Sequence, residues 1–304
     1  MDATVLHVAC SADARYLPHA ATMLRSVLAH ADGLEVHAHL LHGPGLPQED
    51  VRRVGAMAER EGASFQAYSV GDEQIDGLPG ISQAGIPSTI WYRIYLPQLL
   101  PDVDRILYLD GDLLAVDSLA PLAAVDIGGH YVGAVTNVFE PWNEGYPATL
   151  GLDLTGPRSY FNSGVLLMNL ALMRRDDCTT ALREWALANR DRLPWGDQDA
   201  LNAVLAERRV ELHPRWNCMN SVMRFASAAD LFGIEAIEEA RRRPGIRHFE
   251  GPGENKPWHL LAEPAARADY LRHRRGTPWP RQRPDGLTPR NAIKRVVRDL
   301  RERG

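Results

Sequence analysis

Residues 107–114 read Leu-Tyr-Leu-Asp-Gly-Asp-Leu-Leu, an apolar run that ends in two carboxylates separated by one glycine. The run from Arg105 is rich in strand-forming residues and does not alternate between apolar and polar positions, which predicts a buried central strand of a parallel sheet. Gly111 is expected to let the backbone turn sharply after that strand. Because ligands of open α/β sheets bind just beyond the carboxyl ends of the strands, we expect Asp110 and Asp112 to lie in the ligand-binding site. Closely spaced carboxylate oxygens suit Mg²⁺ or Mn²⁺.

Two other interpretations of the Asp-Gly-Asp motif remain open from the motif alone. It could be a turn, in which each aspartate caps its own backbone and the glycine supplies a positive φ. It could also end the first strand of a haloacid-dehalogenase-type phosphatase, which carries an Asp-x-Asp motif. That motif usually lies near the start of the catalytic core, whereas about a third of this chain precedes residue 110.

The composition is typical of a soluble globular protein. The 304 residues are 45% hydrophobic and 24% charged, which suits one large domain with appendages. No apolar run approaches the roughly 20 residues that span a bilayer, and no basic segment followed by an apolar one opens the chain. These features predict a cytoplasmic protein. Its cysteines are widely spaced and form no CxxC pair, so neither a disulfide framework nor a zinc cluster is indicated.

The first third of the chain alternates between strand and helix patterns. Strands are predicted over 4–10, 36–41 and 64–70, and helices over 18–30 and 48–61. Strands that alternate with helices in this way predict a parallel, doubly wound sheet. Farther along, the patterns predict a helix over 88–100, strands over 105–109, 131–136 and 160–170, helices over 178–190 and 198–206, a short strand from 246, and loops over 71–87 and 139–160.

Three histidines of the second predicted strand, His37, His39 and His42, superficially resemble a metal cluster. On a strand, His37 and His39 share one face and His42 lies on the other. We therefore expect no metal site there.

The C-terminal tail differs in charge from the rest of the chain. The net charge is −5, but residues from Arg272 onward carry 11 Arg or Lys and three acidic residues, so the tail has +8 and the preceding residues −13. Thr288 followed by proline predicts a helix start. Such a basic amphipathic helix predicts either contact with an anionic membrane surface or docking on the acidic main body. Its apolar residues recur at helical spacing: Ile293, Val296, Val297 and Leu300.

Four segments together resemble one known arrangement. They are 107–112, Phe161-Asn-Ser-Gly-Val165, Gly196-Asp-Gln-Asp-Ala-Leu-Asn202 and His248-Phe-Glu-Gly-Pro-Gly-Glu-Asn-Lys-Pro-Trp258. In this order and spacing they resemble the retaining glycosyltransferases of family 8, which include bacterial lipopolysaccharide glucosyl- and galactosyltransferases and glycogenin. The resemblance covers about residues 4–258 and is specific because the four segments occur jointly.

The resemblance implies an α/β chain of GT-A fold, in which a Rossmann-like, nucleotide-binding mixed sheet is flanked by helices. It assigns residues 1–262 to the catalytic domain and leaves 263–304 as a basic C-terminal helical tail. The implied donor is a UDP-sugar bound with Mn²⁺ or Mg²⁺, and the implied acceptor is a carbohydrate or glycoside. No nucleic-acid partner is expected. The tail would allow a cytoplasmic enzyme to lie peripherally on the inner membrane face.

The resemblance assigns metal-binding and diphosphate-binding roles to individual residues of the motifs. Asp110 and Asp112 match two metal ligands, with Gly111 between them in the nucleotide site, and His248 matches a third ligand. An imidazole beside two carboxylates shifts the preference from Mg²⁺ toward Mn²⁺. Lys256 matches the lysine that contacts the diphosphate, and the backbone N–H of Gly251 could share that task. Without the resemblance, His248 would read as a core histidine and Gly251 as part of a surface turn.

For the nucleoside, Asp13 and Tyr16 match an aspartate that pairs with the uracil edge and an aromatic ring that stacks on it. Many members of the family carry asparagine where this chain has Arg15, which puts the base or ribose contact there in doubt. Apart from the resemblance, Asp13 could cap the following helix.

For the sugar, the resemblance assigns Arg93, Asn162, Asp197 and Gln198 to positions around the transferred hexose, and Asn137 near another. Arg93 could also form a buried ion pair with Asp110 or Asp197, and Asp197 could simply favour a helix N-terminus.

The implied reaction transfers a hexose, glucose or galactose, to a hydroxyl group with retention of configuration. Retention needs either a covalent glycosyl enzyme or attack by the acceptor on the face that UDP is leaving. Gln198 matches the position nearest the far face of the sugar, and its neutral amide oxygen is a poor nucleophile. We therefore expect front-face displacement. A phosphohydrolase or a catalytically silent UDP-sugar-binding protein are the alternatives.

Overall fold

The computed structural model describes residues 4–80, 88–139, 145–151 and 160–301. The strands are β1 (Val5–Ser11), β2 (Glu35–His42), β3 (Ser64–Ser69), β4 (Arg105–Leu109), β5 (Leu113–Ala115), β6 (Val132–Ala134), β7 (Val165–Asn169), β8 (Arg209–Glu211), β9 (Cys218–Met219) and β10 (Ile246–His248). The helices are α1 (Leu17–Ala29), α2 (Gln48–Arg60), α3 (Leu96–Leu99), α4 (Ala120–Ala123), α5 (Tyr146–Thr149), α6 (Leu170–Arg175), α7 (Cys178–Asn189), α8 (Asp197–Leu205), α9 (Asn220–Arg224), α10 (Ser227–Phe232), α11 (Ile234–Arg242), α12 (Pro264–Arg274) and α13 (Pro289–Arg301).

The strands of the described residues form a seven-stranded sheet and a three-stranded one. The large sheet has the order β3-β2-β1-β4-β7-β6-β8, and the small one β5-β10-β9. Strands β3, β2, β1 and β4 are parallel, as the alternating pattern predicts. Strand β7 is antiparallel to both β4 and β6. The large sheet is therefore mixed, and the expectation of purely parallel neighbours for β4 is wrong on one side.

The antiparallel direction of β7 is compatible with the long connection that precedes it, which contains the short α5. A parallel return needs a crossover of a dozen or more residues, usually a helix, whereas an antiparallel return needs only a loop. The sequence between β6 and β7 predicts a loop, part of which lies outside the described residues. Strand β7 runs opposite to β6 and β4.

The β4 strand is buried on both of its faces. Leu107 and Leu109 pack into the core that α1 and α2 help to form. Ile106 and Tyr108 pack into the opposite core, which includes side chains of α7 and α8. This two-sided burial explains why the strand sequence does not alternate.

The segment predicted as one helix over 88–100 is instead a 3₁₀ helix, Ser88–Tyr95, followed by the short α3. Aromatic and β-branched residues crowd the first half and have modest helix propensity. Pro97 also lacks the N–H that an α-helix would use at that position. The tighter 3₁₀ geometry nevertheless buries Arg93 and points it toward the carboxyl end of β4, where Asp110 lies.

The histidines of β2 make local contacts. His37 Nε2 lies 3.0 Å from Glu35. His39 lies 3.0 Å from His7 Nδ1 and 3.2 Å from the Tyr68 hydroxyl group.

The C-terminal part of the chain packs on the body through α12, whereas the apolar side chains described in α13 are exposed. The Tyr270 hydroxyl group of α12 lies 2.7 Å from His19 Nδ1 in α1, and its ring packs with Trp258. In α13, Ile293 is 66% exposed and Val296 59%. Division of the chain at residue 262 stays a prediction. Within the described residues, no helix is long and apolar enough to span a membrane.

Candidate active site

Two strands of different sheets bring three candidate metal ligands together. The N–H of Asp110 donates to the Gly164 carbonyl oxygen at 2.9 Å, where β4 ends. His248 ends β10, which pairs with β5 so that His248 lies opposite Leu113. One ligand atom from each of Asp110, Asp112 and His248 can be chosen so that all three lie within 4.8 Å of one another. The small sheet thus places a histidine beside a motif that lies far away in sequence.

Asp112 is a buried carboxylate held in its charged form. Burial on its own would raise its pKa, but the neighbouring Lys256 and His248 lower the pKa well below its usual range. Lys256 Nζ donates to Asp112 Oδ2 and, at 2.9 Å, to the Phe249 carbonyl oxygen. His248 Nε2 lies 3.6 Å from Asp112 Oδ1. Two carboxylates and an imidazole nitrogen form a donor set that fits a divalent cation such as Mn²⁺.

Gly111 lies close to α1 and does not have a positive φ. It is not among the residues with a left-handed backbone. A Cβ added there would lie 3.3 Å from Tyr16 Cδ1 and 3.5 Å from the Ala20 backbone nitrogen. The chain does turn at Gly111, between β4 and β5, but without a positive φ, and the glycine also lets the motif lie against the start of α1.

Arg93 connects the metal-ligand cluster with the candidate sugar residues. Its side chain is 3% exposed, and Nη2 donates to Asp110 Oδ1 at 2.9 Å while Nη1 donates to the Ser163 carbonyl oxygen at 2.6 Å. Nε lies 2.9 Å from Asp197 Oδ2. Because the Nε–H donates to the Ile90 carbonyl oxygen, the contact with Asp197 is electrostatic rather than a hydrogen bond. Both ion pairs that the sequence suggested for Arg93 are present together.

Asp197 is a buried carboxyl group that lies beside Arg93. Burial raises its pKa to about 7, and Arg93 opposes that shift only in part. Among the residues that the structure describes, none makes a hydrogen bond to Asp197 Oδ2. A hydroxyl group of a sugar would satisfy such an oxygen.

The remaining candidate sugar residues are fixed by hydrogen bonds. Gln198 Oε1 accepts from the Ser163 backbone N–H at 2.9 Å, so its amide orientation is set by the backbone. Asn162 Nδ2 donates to Asn137 Oδ1 at 3.2 Å, which brings those two residues together. Gln198, Asn162 and Asn137 are each at most 6% exposed.

The candidate nucleoside residues lie at the start of α1. Asp13 Oδ1 accepts from the Tyr16 backbone N–H at 2.7 Å, in the turn before α1; the N-cap residue of α1 is Tyr16, and within the described part of the chain no side chain caps that helix. The Tyr16 ring lies edge-on to Trp258, with centroids 5.7 Å apart. Gly251 has φ +85°, and a Cβ there would also lie 2.6 Å from Asn255 Nδ2, so only glycine suits that turn before Lys256.

Sequence reasoning missed Asn217 and Gly164 as supports of the site. Asn217 Oδ1 lies 2.9 Å from His248 Nδ1. A Cβ on Gly164 would lie 2.4 Å from His248 Cε1, so the ring occupies the space beside that glycine. The only local signal for Asn217 was a polar residue between Trp216 and Cys218.

Two named proteins are similar in sequence. General stress protein A of Bacillus subtilis (strain 168) is 28% identical over 281 residues, which cover 90% of this chain and 95% of that protein. Lipopolysaccharide 1,2-glucosyltransferase of Escherichia coli is 26% identical over 273 residues, which cover 88% of this chain and 77% of that protein.

A solved structure and a family profile complete the comparison. The galactosyltransferase LgtC, in complex with donor and acceptor sugar analogs, matches with a TM-score of 0.78 and 28% identity over 90% of this chain and 96% of that chain. This likeness confirms the expected GT-A fold. The profile of Glycosyl transferase family 8 matches residues 7–262, and the phosphatase interpretation of the Asp-Gly-Asp motif is therefore wrong. The chain belongs to glycosyltransferase family 8 and is a glycosyltransferase.

Proposed function

We propose that this enzyme transfers a hexose, glucose or galactose, from a UDP-sugar to a hydroxyl group of a sugar or glycoside, with retention of configuration. The observation that carries the proposal is the buried arrangement centred on Arg93. It contacts Asp110 of the metal-ligand cluster on one side and Asp197 of the sugar residues on the other. Such an arrangement suits a substrate in which a diphosphate is joined directly to a sugar.

Different residues around Asp110, Asp112 and His248 bind different parts of the donor. Asp110, Asp112 and His248 would hold Mn²⁺ or Mg²⁺, and a bound ion would supply positive charge against the negative charge of the departing UDP. Lys256 supplies a further positive charge to the diphosphate. Asp13 and Tyr16 contact the uracil, Gly111 and the Gly251 N–H lie along the nucleotide, and Asn162, Asp197 and Gln198 surround the hexose.

Retention is explained by front-face displacement. The acceptor oxygen forms its bond to the anomeric carbon as the bond to UDP breaks, and the acceptor proton passes to an oxygen of the β-phosphate. The Gln198 oxygen already accepts from the Ser163 backbone N–H. A neutral amide oxygen engaged in this way is a weak nucleophile, which favours displacement without a covalent glycosyl enzyme.

The direct test is to incubate the protein with Mn²⁺ and a panel of UDP-sugars and to follow UDP release with and without added sugar acceptors. We expect release from UDP-glucose or UDP-galactose that stops when EDTA is added. If UDP binds but no donor in the panel is consumed, the hexose assignment fails. Turnover that is unaffected by EDTA would contradict the metal assignment.

Gln198→Ala is expected to retain measurable transfer, because the amide orients the site without attacking the sugar. Loss of one hydrogen bond to the Ser163 N–H costs about 1–3 kcal/mol, so we expect a decrease of about 10–100-fold in kcat. The measurement is kcat with the preferred donor, together with UDP-sugar affinity. A variant that binds the donor normally and is completely inactive would instead favour a nucleophilic Gln198 or a covalent route.

We further propose that α13 contacts an anionic membrane surface. Three apolar residues of one face, Ile293, Val296 and Val297, are exposed on a helix that also carries Arg290 and Lys294. Burial of such side chains in the interface, with basic residues near anionic headgroups, is the arrangement that holds amphipathic helices on membranes.

Ile293→Ser with Val297→Ser is expected to reduce cosedimentation with anionic liposomes by at least about tenfold, since each apolar side chain contributes about 1.5–3 kcal/mol when buried. UDP-sugar turnover in solution should be retained. Ile234→Ser is the matched control, because Ile234 is 68% exposed on α11. Equal binding of the double variant and the wild type would exclude α13 as the contact.

A further inference from the structure

A chain of four buried side chains joins His248 to the sugar side of the site. His248 Nδ1 lies 2.9 Å from Asn217 Oδ1. Asn217 Nδ2 donates to Asn162 Oδ1 at 2.8 Å, and Asn162 Nδ2 donates to Asn137 Oδ1 at 3.2 Å. Each of the four residues is at most 6% exposed, and Asn217 is fully buried. The chain of hydrogen bonds therefore runs through the protein interior, away from bulk water.

The direction of these bonds follows from one backbone group. The N–H of Gly164 can only donate, and it donates to Asn162 Oδ1 at 3.0 Å. The Asn162 oxygen also faces Asn217, so the nearer Asn217 atom must be the donor Nδ2. Asn217 then turns its oxygen toward His248, and the ring nitrogen that faces it, Nδ1, must carry a proton. A backbone N–H thus assigns two amide orientations and one histidine tautomer, which would otherwise be ambiguous.

The same arrangement orients the other nitrogen of the ring. Nε2 is on the side of Asp112, 3.6 Å from Oδ1. With the proton fixed on Nδ1, the lone pair of the neutral ring is on Nε2, where a metal ion shared with Asp112 would bind. Gly164 also leaves room for the ring, because a Cβ there would lie 2.4 Å from His248 Cε1.

We propose that Asn217 is a positioning residue that fixes the tautomer and orientation of His248 and couples them to Asn162 on the sugar side. The carboxyl, carbonyl or amide partners of metal-bound histidines commonly have this function. The assignment of the tautomer rests on hydrogen bonds alone. The coupling to metal and sugar rests on the proposed function of the site.

The first test is the tautomer of His248 in the metal-free protein. Long-range ¹H–¹⁵N NMR spectra, recorded above the pKa of the ring and assigned with His248→Gln, are expected to show Nδ1–H in the wild type. A neutral ring that carries its proton on Nε2 would overturn the proposal. In Asn217→Leu the acceptor is lost, and we expect a mixture of tautomers.

The second test is Mn²⁺ binding, followed by electron paramagnetic resonance of free Mn²⁺. Loss of a partner of this kind weakens metal binding by about 10–100-fold, which is the effect expected for Asn217→Leu. Asn217→Asp keeps an acceptor for the Nδ1 proton, so its Mn²⁺ affinity should remain at least that of the wild type. Asn217→Leu with unchanged Mn²⁺ affinity, or Asn217→Asp as weak as Asn217→Leu, would contradict the proposal.

Asn169→Ala is the matched control for a general loss of stability. Asn169 caps α6 by accepting from the Leu172 N–H, and its loss should cost about 1 kcal/mol without touching the site. Its Mn²⁺ affinity and the tautomer of His248 should match the wild type. Thermal unfolding of each variant shows whether it is folded. If Asn217→Leu does not fold, the His248 tautomer in the wild type and the Mn²⁺ affinity of Asn217→Asp still test the proposal.

The coupling to the sugar side is tested by the donor KM. A carboxylate at position 217 cannot donate to Asn162 Oδ1, and Asn162 cannot turn its amide without leaving the Gly164 N–H unpaired. Asn217→Asp is therefore expected to raise the donor KM by about tenfold, the effect of about one lost hydrogen bond, while Mn²⁺ affinity is kept. An unchanged donor KM would refute the coupling. Absence of any UDP-sugar turnover in the wild type would refute the proposed function and leave the tautomer and Mn²⁺ results valid.

Discussion

Asp112→Asn is expected to lower kcat/KM by about a thousandfold and to weaken Mn²⁺ binding in parallel. Asp112 is the carboxylate around which Lys256 and His248 are arranged, and its low pKa keeps it charged. An asparagine of the same shape removes that charge, so the proposed metal ion would keep only a neutral amide oxygen at this position and Lys256 would lose its counter-ion. A metal ion contributes several kcal/mol of charge stabilisation in the transition state, and about 4 kcal/mol corresponds to about three orders of magnitude in rate.

The measurements are kcat/KM for the preferred UDP-sugar and the dissociation constant of Mn²⁺. Asp104→Asn is the matched control, because Asp104 immediately precedes β4 at the opposite end and is 84% exposed in its pair with Arg174. Surface pairs of this kind contribute little, so the control should have wild-type activity. An Asp112→Asn enzyme that keeps both Mn²⁺ affinity and turnover would remove Asp112 from the metal site.

Much of the fold could be predicted from the sequence because local patterns of apolar and polar residues indicate strands and helices directly. The unbroken apolar run of β4 matches a strand buried on both faces. The alternation of strands and helices before it matches the parallel strands β1, β2 and β3. The direction of β7 could not be read from its own residues, because an apolar strand has the same composition in either direction.

The site could be predicted only as a set of residues from separate segments. The four motifs identify Asp110, His248 and Asp197, but a motif does not predict which of their atoms lie in contact. Asn217 lies in no motif, and its function depends on the pairing of β9 with β10, which places Cys218 opposite Arg247 and so brings Asn217 beside His248. The short strand from 246 could be predicted, but the two-residue β9 carries too little pattern, so its pairing with β10 could not. The contacts that orient the metal ligands are therefore visible only in the structure.

Arg93→Met is expected to destabilise the enzyme by about 3–5 kcal/mol and to abolish transfer. Arg93 is buried between Asp110 and Asp197, and removal of one member of a buried ion pair leaves an uncompensated charge in a medium of low dielectric constant. Methionine approximates the length of the side chain, so the loss measures charge more than volume. Unfolding in urea gives the stability, and Arg175→Met, which changes an arginine that is 68% exposed, is the control.

The pH dependence of this loss distinguishes charge from packing. Burial already raises the pKa of Asp197 to about 7 although Arg93 is present, and without Arg93 the pKa should rise further. An acid whose pKa is higher in the folded than in the unfolded state loses stability as the pH rises toward the folded pKa. The deficit of Arg93→Met should therefore be larger above pH 7 than below it. Adding Asp197→Asn should recover part of the stability and none of the activity, because the isolated charge is removed while Asp110 remains without its arginine. A deficit that is independent of pH and unaffected by Asp197→Asn would show that Arg93 contributes through packing instead.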